Sequence, residues 1–190
     1  QALAVSGLLS PEMFGPSVMP WQPAGIWLSP WNGQTWKTSS GTEQYRRSIY
    51  TYWKRTSPYP SMLTFDGSAR EVCLARRIRT NTPLQALTLL NDSSVLVASR
   101  ELARTMQASN AQVRAAIAQG YALVAGRQAD PRKVEALEKL YVKALEKYRK
   151  DPSSACEMNG VQVTGDAPGQ AALVVVAGAL LNMDEFITKN

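Results

Sequence analysis

The chain contains no histidine. That absence excludes a histidine-based catalytic triad within it, and it excludes zinc or haem held by histidine. It also removes the side chain that most often acts as general base near neutral pH. Cysteine is limited to Cys73 and Cys156, which stand in no metal-binding spacing and form no C-x-x-C-H haem attachment. Two free, buried thiols are expected, with a single disulfide as the alternative for an exported protein. No cofactor is therefore expected to be held by this chain. Long apolar runs are also missing. The longest, Ala171 to Leu181, has eleven residues, against the roughly 20 needed to cross a bilayer. No membrane span is expected. The chain opens Gln-Ala-Leu-Ala-Val-Ser-Gly, which reads as the tail of a helix closed by Gly7. It is therefore expected to be a C-terminal piece of a longer polypeptide, and the lack of a leader carries no weight.

What is present describes a folded protein. At 190 residues, 45% hydrophobic and 19% charged, the chain is long enough for one compact domain with a sizeable core. The net charge of +6 permits an anionic partner without demanding one. That charge is concentrated. Residues 46–79 hold eight Lys or Arg against Asp66 and Glu71, a net +6 that equals the charge of the whole chain.

Residues 8–44 carry five prolines, four glycines and Trp21, Trp27, Trp31 and Trp36. Proline fixes φ and removes donors, so no long helix fits there. The tryptophans suit either anchors that pin a wrapping loop or flat platforms for sugar rings or bases. Residues 45–55 alternate as a strand would, with Tyr45, Arg47, Ile49, Thr51 and Trp53 on one face. An edge strand or two-stranded ribbon is expected, with a helix as the alternative. Residues 56–69 turn through Ser57-Pro58 and Tyr59-Pro60, with one helical turn at 61–65. Residues 70–81 are basic and show no clean amphipathic stripe. Their arginines suit two roles, tying down loops or forming an anion-binding surface.

Helices dominate the remainder. Thr82, Pro83 and Gln85 form a capping box, and Leu84, Leu87 and Leu90 are spaced for burial. Asn91-Asp92 closes this helix and caps the next, at about 93–107. Asn110 opens a third, which Gly126 closes. Asp130-Pro131 opens a fourth, which runs to about 150. Residues 153–166 are expected to be a loop. The last helix, 168–182, is apolar all round and should be the central buried one. The fold class is thus mainly α: a bundle of about five helices over 82–190. An irregular, aromatic and basic lead over 1–81 precedes it, with at most a small β element.

Several stretches resemble a known family: GLLSPEMFGPSVMPWQPAGIW, RRSIYTYWKRT, REVCLARRIRTNTPLQALTLLND and the closing LLNMDEFITKN. They are similar to the planctomycete-specific domain of unknown function called PSD-one. That domain lies at the C-terminal end of large proteins that also carry planctomycete-type cytochrome c domains. The resemblance implies an extracytoplasmic location, periplasmic or secreted, and upstream domains of the same protein, haem-bearing in many members, as partners. The gene setting associated with the family is polysaccharide breakdown. No reaction is implied, and the pattern is loosest over 111–150.

Three functions follow as expectations. The first is a non-catalytic binding or scaffolding module for a polysaccharide or another anionic ligand. Its candidate binding residues are Trp21, Trp27 and Trp53, with Arg46 and Arg47. Arg76, Arg77, Arg79 and Asn81 complete the set. The second is part of a carbohydrate-active enzyme using paired carboxylates drawn from Asp66, Glu71, Asp92, Asp184 and Glu185. The third is nucleic-acid binding, which rests on charge alone and lacks any recognised motif.

Overall fold

The computed structural model describes residues 1–27, 35–68, 75, 80–109, 112–160 and 165–188. The described chain is mainly helical. Its elements are α1 (Ala2–Val5), α2 (Pro60–Thr64), α3 (Pro83–Asn91), α4 (Ser93–Ser109), α5 (Val113–Ala125), α6 (Pro131–Lys150), α7 (Pro152–Asn159), α8 (Ala167–Leu181) and α9 (Asp184–Ile187). Among the described residues the β element reduces to one isolated parallel bridge between Val18 and Thr51. The chain divides into two compact units, Leu8–Thr88 and a helical unit made of Gln1–Gly7 with Leu89–Asn190.

In the helical unit α8 is the centre. Ten of its fifteen residues are buried, from Gly169 to Leu181. It packs most extensively against α4 and α6, and also against α5, α7 and α9. An element that is apolar on every side can only be satisfied by neighbours on every side. Where α6, α7 and α8 meet, the contact is made of small residues, Ala144, Ala155, Ala171 and Ala172, with Tyr148 beside them. Tyr141, Leu145, Met158 and Val175 pack against this cluster, partly buried. The helices around α8 bury apolar stripes: Ala98, Leu102 and Met106 on α4, Ile117, Tyr121 and Val124 on α5, and Val134, Leu137, Ala144 and Tyr148 on α6, while Val95, Leu96, Val113 and Tyr141 are half-buried. Gly126, at φ 71°, stops α5.

Local signals set most boundaries. Asp130 accepts from the Arg132 amide and Pro131 sits at the first helical position of α6. Asp92 Oδ1 accepts from the Ser94 amide at 2.8 Å, which starts α4. The expected loop at 153–166 is overturned in its first half, because α7 occupies Pro152–Asn159. Asp151 both ends α6 and caps α7, with Pro152 at the first position. This repeats the Asp-Pro start of α6. Cys156 lies on α7 as a free, exposed thiol, not a buried one, while Ala155 beside it takes the buried position. Cys73 lies outside the described residues, as does Asn110, which was expected to open α5.

The α7 cap carries a pH signature. The hydroxyls of Ser153 and Ser154 and the Ser154 amide donate to the Asp151 carboxylate. They hold its pKa down from the usual 3.8 to about 2. The folded value lies below the unfolded one. The stabilisation is therefore complete above about pH 4 and is lost as pH falls toward about 2. Asp151→Asn should lose this acid-sensitive contribution. Urea midpoints measured from pH 5 to 2 check this: a variant whose midpoint falls as steeply as the wild type's overturns the assignment.

In unit Leu8–Thr88 the lead segment lies alongside residues 45–52. The Val18 amide donates to the Tyr50 carbonyl at 2.8 Å, and the Tyr52 amide donates to the Val18 carbonyl at 2.7 Å. The expected strand at 45–55 does not form. Gly41–Tyr45 and Ser48–Tyr50 are 3-10 turns, and extended backbone resumes at Thr51. The alternation of side chains there was real, but a strand needs a partner along its length, and only Val18 supplies one among the described residues.

A polar hub closes this unit. Thr82 and Gln85 form the capping box, with the Thr82 amide donating to Gln85 Oε1 at 3.0 Å and the Gln85 amide to Thr82 Oγ1 at 3.3 Å. Gln85 Nε2 also donates to the Thr64 carbonyl and to Thr80 Oγ1, each at 2.9 Å. Gln85 is therefore drawn inward and buried, with Leu89 one turn later. This rotation corrects one expectation: Leu84, Leu87 and Leu90 point outward, 61%, 57% and 57% exposed.

Candidate functional site

Turn Ser48–Tyr50, the extended residues 51–53, α2 and the segment just after it surround an open pocket of about 570 Å³. Its walls are Trp53, Tyr59 and Phe65, with Ile49 and Met62. Its polar groups are the hydroxyls of Ser48, Thr51, Ser61 and Ser68. No charged side chain lines it among the described residues. Flat apolar faces interleaved with hydroxyls suit a neutral ligand that has both C–H faces and hydroxyl edges.

The pocket is held from behind. Tyr59 stacks on Trp36 with centroids 5.7 Å apart and planes 14° apart, and its hydroxyl donates to the Trp21 carbonyl at 2.8 Å. Trp36 Nε1 in turn donates to the Pro20 carbonyl at 2.9 Å. Past α2, Gly67 folds back so that its amide donates to the Met62 carbonyl at 2.6 Å. A Cβ on Gly67 would stand 2.5 Å from that oxygen, so only glycine permits this turn.

The structure separates the candidate binding residues by role. Trp53 lines the pocket. Trp27 is buried, edge-on to Trp36 at 5.2 Å and to Tyr52 at 6.1 Å, with Lys54 Nζ over its ring at 4.9 Å. It is an anchor of the wrapping loop, as one of the two sequence readings had it. Trp21 is half-buried and meets Tyr59 through its main chain. Arg47 and Asn81 are exposed. Arg76, Arg77 and Arg79 lie outside the described residues, together with Trp31, Arg70 and Glu71. Sequence reasoning passed over Tyr59, Met62 and Phe65. Their signal was the Tyr59-Pro60 helix start followed by Phe65-Asp66-Gly67, which brings an aromatic out of α2 at its end.

Arg46 has a structural role. It is 3% exposed. Its guanidinium donates to the carbonyls of Phe14 and, at 3.5 and 3.3 Å, of Glu12 and Pro16. It also lies over the Tyr50 ring at 4.1 Å. The loop it holds is strained. Phe14 has φ 65°, followed by Gly15 at 82°, and the left-handed region costs about 1–2 kcal/mol for a residue with a side chain. The Phe14 amide donates to the Tyr50 hydroxyl at 2.9 Å.

The candidate carboxylates that are described, Asp66, Asp92, Asp184 and Glu185, are engaged in the fold. Asp66 accepts from the Thr80 amide at 2.8 Å and from Thr80 Oγ1. The Thr80 hydroxyl and amide hold its pKa below the usual carboxylate range. Asp92 caps α4, and Asp184 accepts from Thr188 Oγ1 at 3.0 Å. Glu185 pairs with Lys133, with Arg127 3.6 Å away, and the Lys133 ammonium lowers its pKa. A glycosidic general acid needs a raised pKa, and Asp66 and Glu185 are shifted the other way. Among the described residues no group of three or more His, Cys, Asp or Glu is placed to hold a metal ion, and no helix is long and apolar enough to cross a membrane.

No curated protein and no solved structure matches the chain. A family model does match, over residues 1–141, which takes in α1 to α5 and the first half of α6. The closing LLNMDEFITKN lies beyond that match, and the loosest stretch, 111–150, lies partly within it. By this match the chain belongs to the PSD1 family, proteins of unknown function (DUF1553).

Proposed function

We propose that this domain is a non-catalytic carbohydrate-binding module whose ligand sits in the Trp53 pocket. The observation that carries this reading is the lining: three aromatic side chains and four hydroxyls around about 570 Å³, with no charged group among the described residues. A pyranose ring offers an apolar C–H face to Trp53 or Phe65 and hydroxyl edges to Ser48, Ser61 and Ser68. The lining favours a neutral glycan over a sulfated one. Binding is preferred to hydrolysis because the described candidate carboxylates, Asp66, Asp92, Asp184 and Glu185, are each engaged by hydrogen bonds or an ion pair within the fold. The resemblance supports placing the domain outside the cytoplasm, with haem-bearing upstream domains of the same polypeptide as its partners. In the full-length polypeptide, a leader peptide and a C-x-x-C-H motif would support that placement, and the lack of both would overturn it.

Calorimetric titration with neutral and sulfated oligosaccharides tests the ligand. Trp53→Ala should weaken binding of a neutral oligosaccharide by about tenfold or more. Absence of binding to every neutral glycan, or unchanged affinity in Trp53→Ala, overturns the reading.

A further inference from the structure

Phe65 is the part of the pocket lining contributed by the chain as it leaves α2. Both of its neighbours are fastened to one polar hub. The Thr64 carbonyl before it accepts from Gln85 Nε2 at 2.9 Å. The Asp66 carboxylate after it accepts from the Thr80 amide and the Thr80 hydroxyl, each at 2.8 Å. Gln85 Nε2 also donates to Thr80 Oγ1 at 2.9 Å. The two anchors are thus one run of bonds, from carboxamide to hydroxyl to carboxylate. Gly67 and Ser68, which follow, line the pocket as well.

The backbone shows why anchors are needed. Asp66 stands at φ 56°, in the left-handed region, which a residue with a side chain holds only under restraint. Gly67 then turns back on the Met62 carbonyl. Released from the hub, this turn has lower-energy conformations, and Phe65 moves with it.

The capping box accounts for only part of Gln85. Its Oε1 and its amide serve the Thr82 cap, and a glutamate would serve that cap as well. What a glutamate lacks is the Nε2 donor pair. That pair goes to the Thr64 carbonyl and the Thr80 hydroxyl. Gln85 is 1% exposed, so water cannot stand in for either bond.

We propose that Gln85 and Asp66 are positioning residues of the Trp53 pocket, holding Phe65 where a sugar ring stacks on it. The choice of ligand rests on the carbohydrate reading. The role of the hub does not. Side chains that touch no ligand set affinity in this way when they fix the groups that do.

Two variants separate positioning from capping. Thr80→Val removes the hydroxyl in the middle of the run and keeps the side chain's shape. Gln85→Glu keeps the acceptor for the Thr82 amide and loses the donors. In the unliganded chain both should speed hydrogen exchange at the Gly67 amide about tenfold or more. The Ser39 amide, bonded to the Met19 carbonyl elsewhere in the unit, should exchange as in the wild type. Both variants should weaken binding of a neutral oligosaccharide, titrated by calorimetry, about tenfold. Thr80→Ser keeps the hydroxyl and should recover most of the affinity. Should the buried carboxylate of Gln85→Glu prevent folding, Thr80→Val and Thr80→Ser decide the matter. Unchanged exchange at Gly67 overturns the proposal. Equal acceleration at Gly67 and Ser39 also overturns it, because the hub would then serve stability alone. So does faster Gly67 exchange with unchanged sugar affinity. Faster exchange confined to Gly67, with no neutral glycan bound even by the wild type, overturns the carbohydrate reading and leaves Gln85 and Asp66 as the residues that place Phe65.

Discussion

Leu180→Ala should destabilise the helical unit by about 2–5 kcal/mol, with a fall in Tm on the order of 10 °C. Leu180 is 0% exposed on α8, the helix against which α4, α5, α6, α7 and α9 all pack. Truncating it removes the transfer free energy of the lost methyl and methylene groups. It also leaves a cavity that the surrounding helices cannot close without moving together. Val142→Ala on α6, where the side chain is largely in solvent, should change stability by less than about 0.5 kcal/mol. Chemical denaturation followed by far-UV circular dichroism compares the two. Equal effects would show that α8 is not the centre of this unit.

The helical unit was legible in the sequence because its signals are local. Four of its helices, α4, α6, α7 and α8, start on an aspartate that caps them within three residues. The eleven apolar residues from Ala171 announce burial without any knowledge of neighbours. Even α7 is readable, since Asp151-Pro152 repeats the start signal of α6. The face of α3 was not readable from periodicity, because leucine spacing favoured Leu84, Leu87 and Leu90. What turns the helix is Gln85, bonded 21 residues back to Thr64. The candidate site was harder to read for the same reason. Arg46 and Arg47 are neighbours of identical chemistry. Only the return of residues 12–16, 30 to 34 positions earlier, decides which one is buried. The pocket likewise joins Ser48–Trp53 to Tyr59–Ser68 by folding, and tryptophan spacing carries no trace of that union.

That pair of arginines gives the second large expected effect. Arg46→Met should destabilise unit Leu8–Thr88 by about 2–4 kcal/mol, while Arg47→Met should stay within about 0.5 kcal/mol of wild type. Methionine keeps the volume of the aliphatic stem, so the difference isolates the guanidinium. Its loss strips the Phe14 and Pro16 carbonyls of their donor and removes the cation from the Tyr50 ring. Hydrogen bonds to a charged group contribute about 1.5–3 kcal/mol each. The flanking loop residues are exposed, so water offsets part of that loss and keeps the total below a full sum. The Glu43 pair adds little, because that carboxylate is largely solvated. Arg46→Lys should recover only part of the stability, since an ammonium is a single point of charge and cannot fork between two carbonyls. Without Arg46 the left-handed turn at Phe14 loses its main restraint and should relax. Limited proteolysis should then cut between residues 11 and 17 first. Denaturation midpoints for the three variants, with the cleavage site mapped by mass spectrometry, decide the matter. An Arg46→Met protein as stable and as protease-resistant as Arg47→Met would show that the buried guanidinium does not hold this loop.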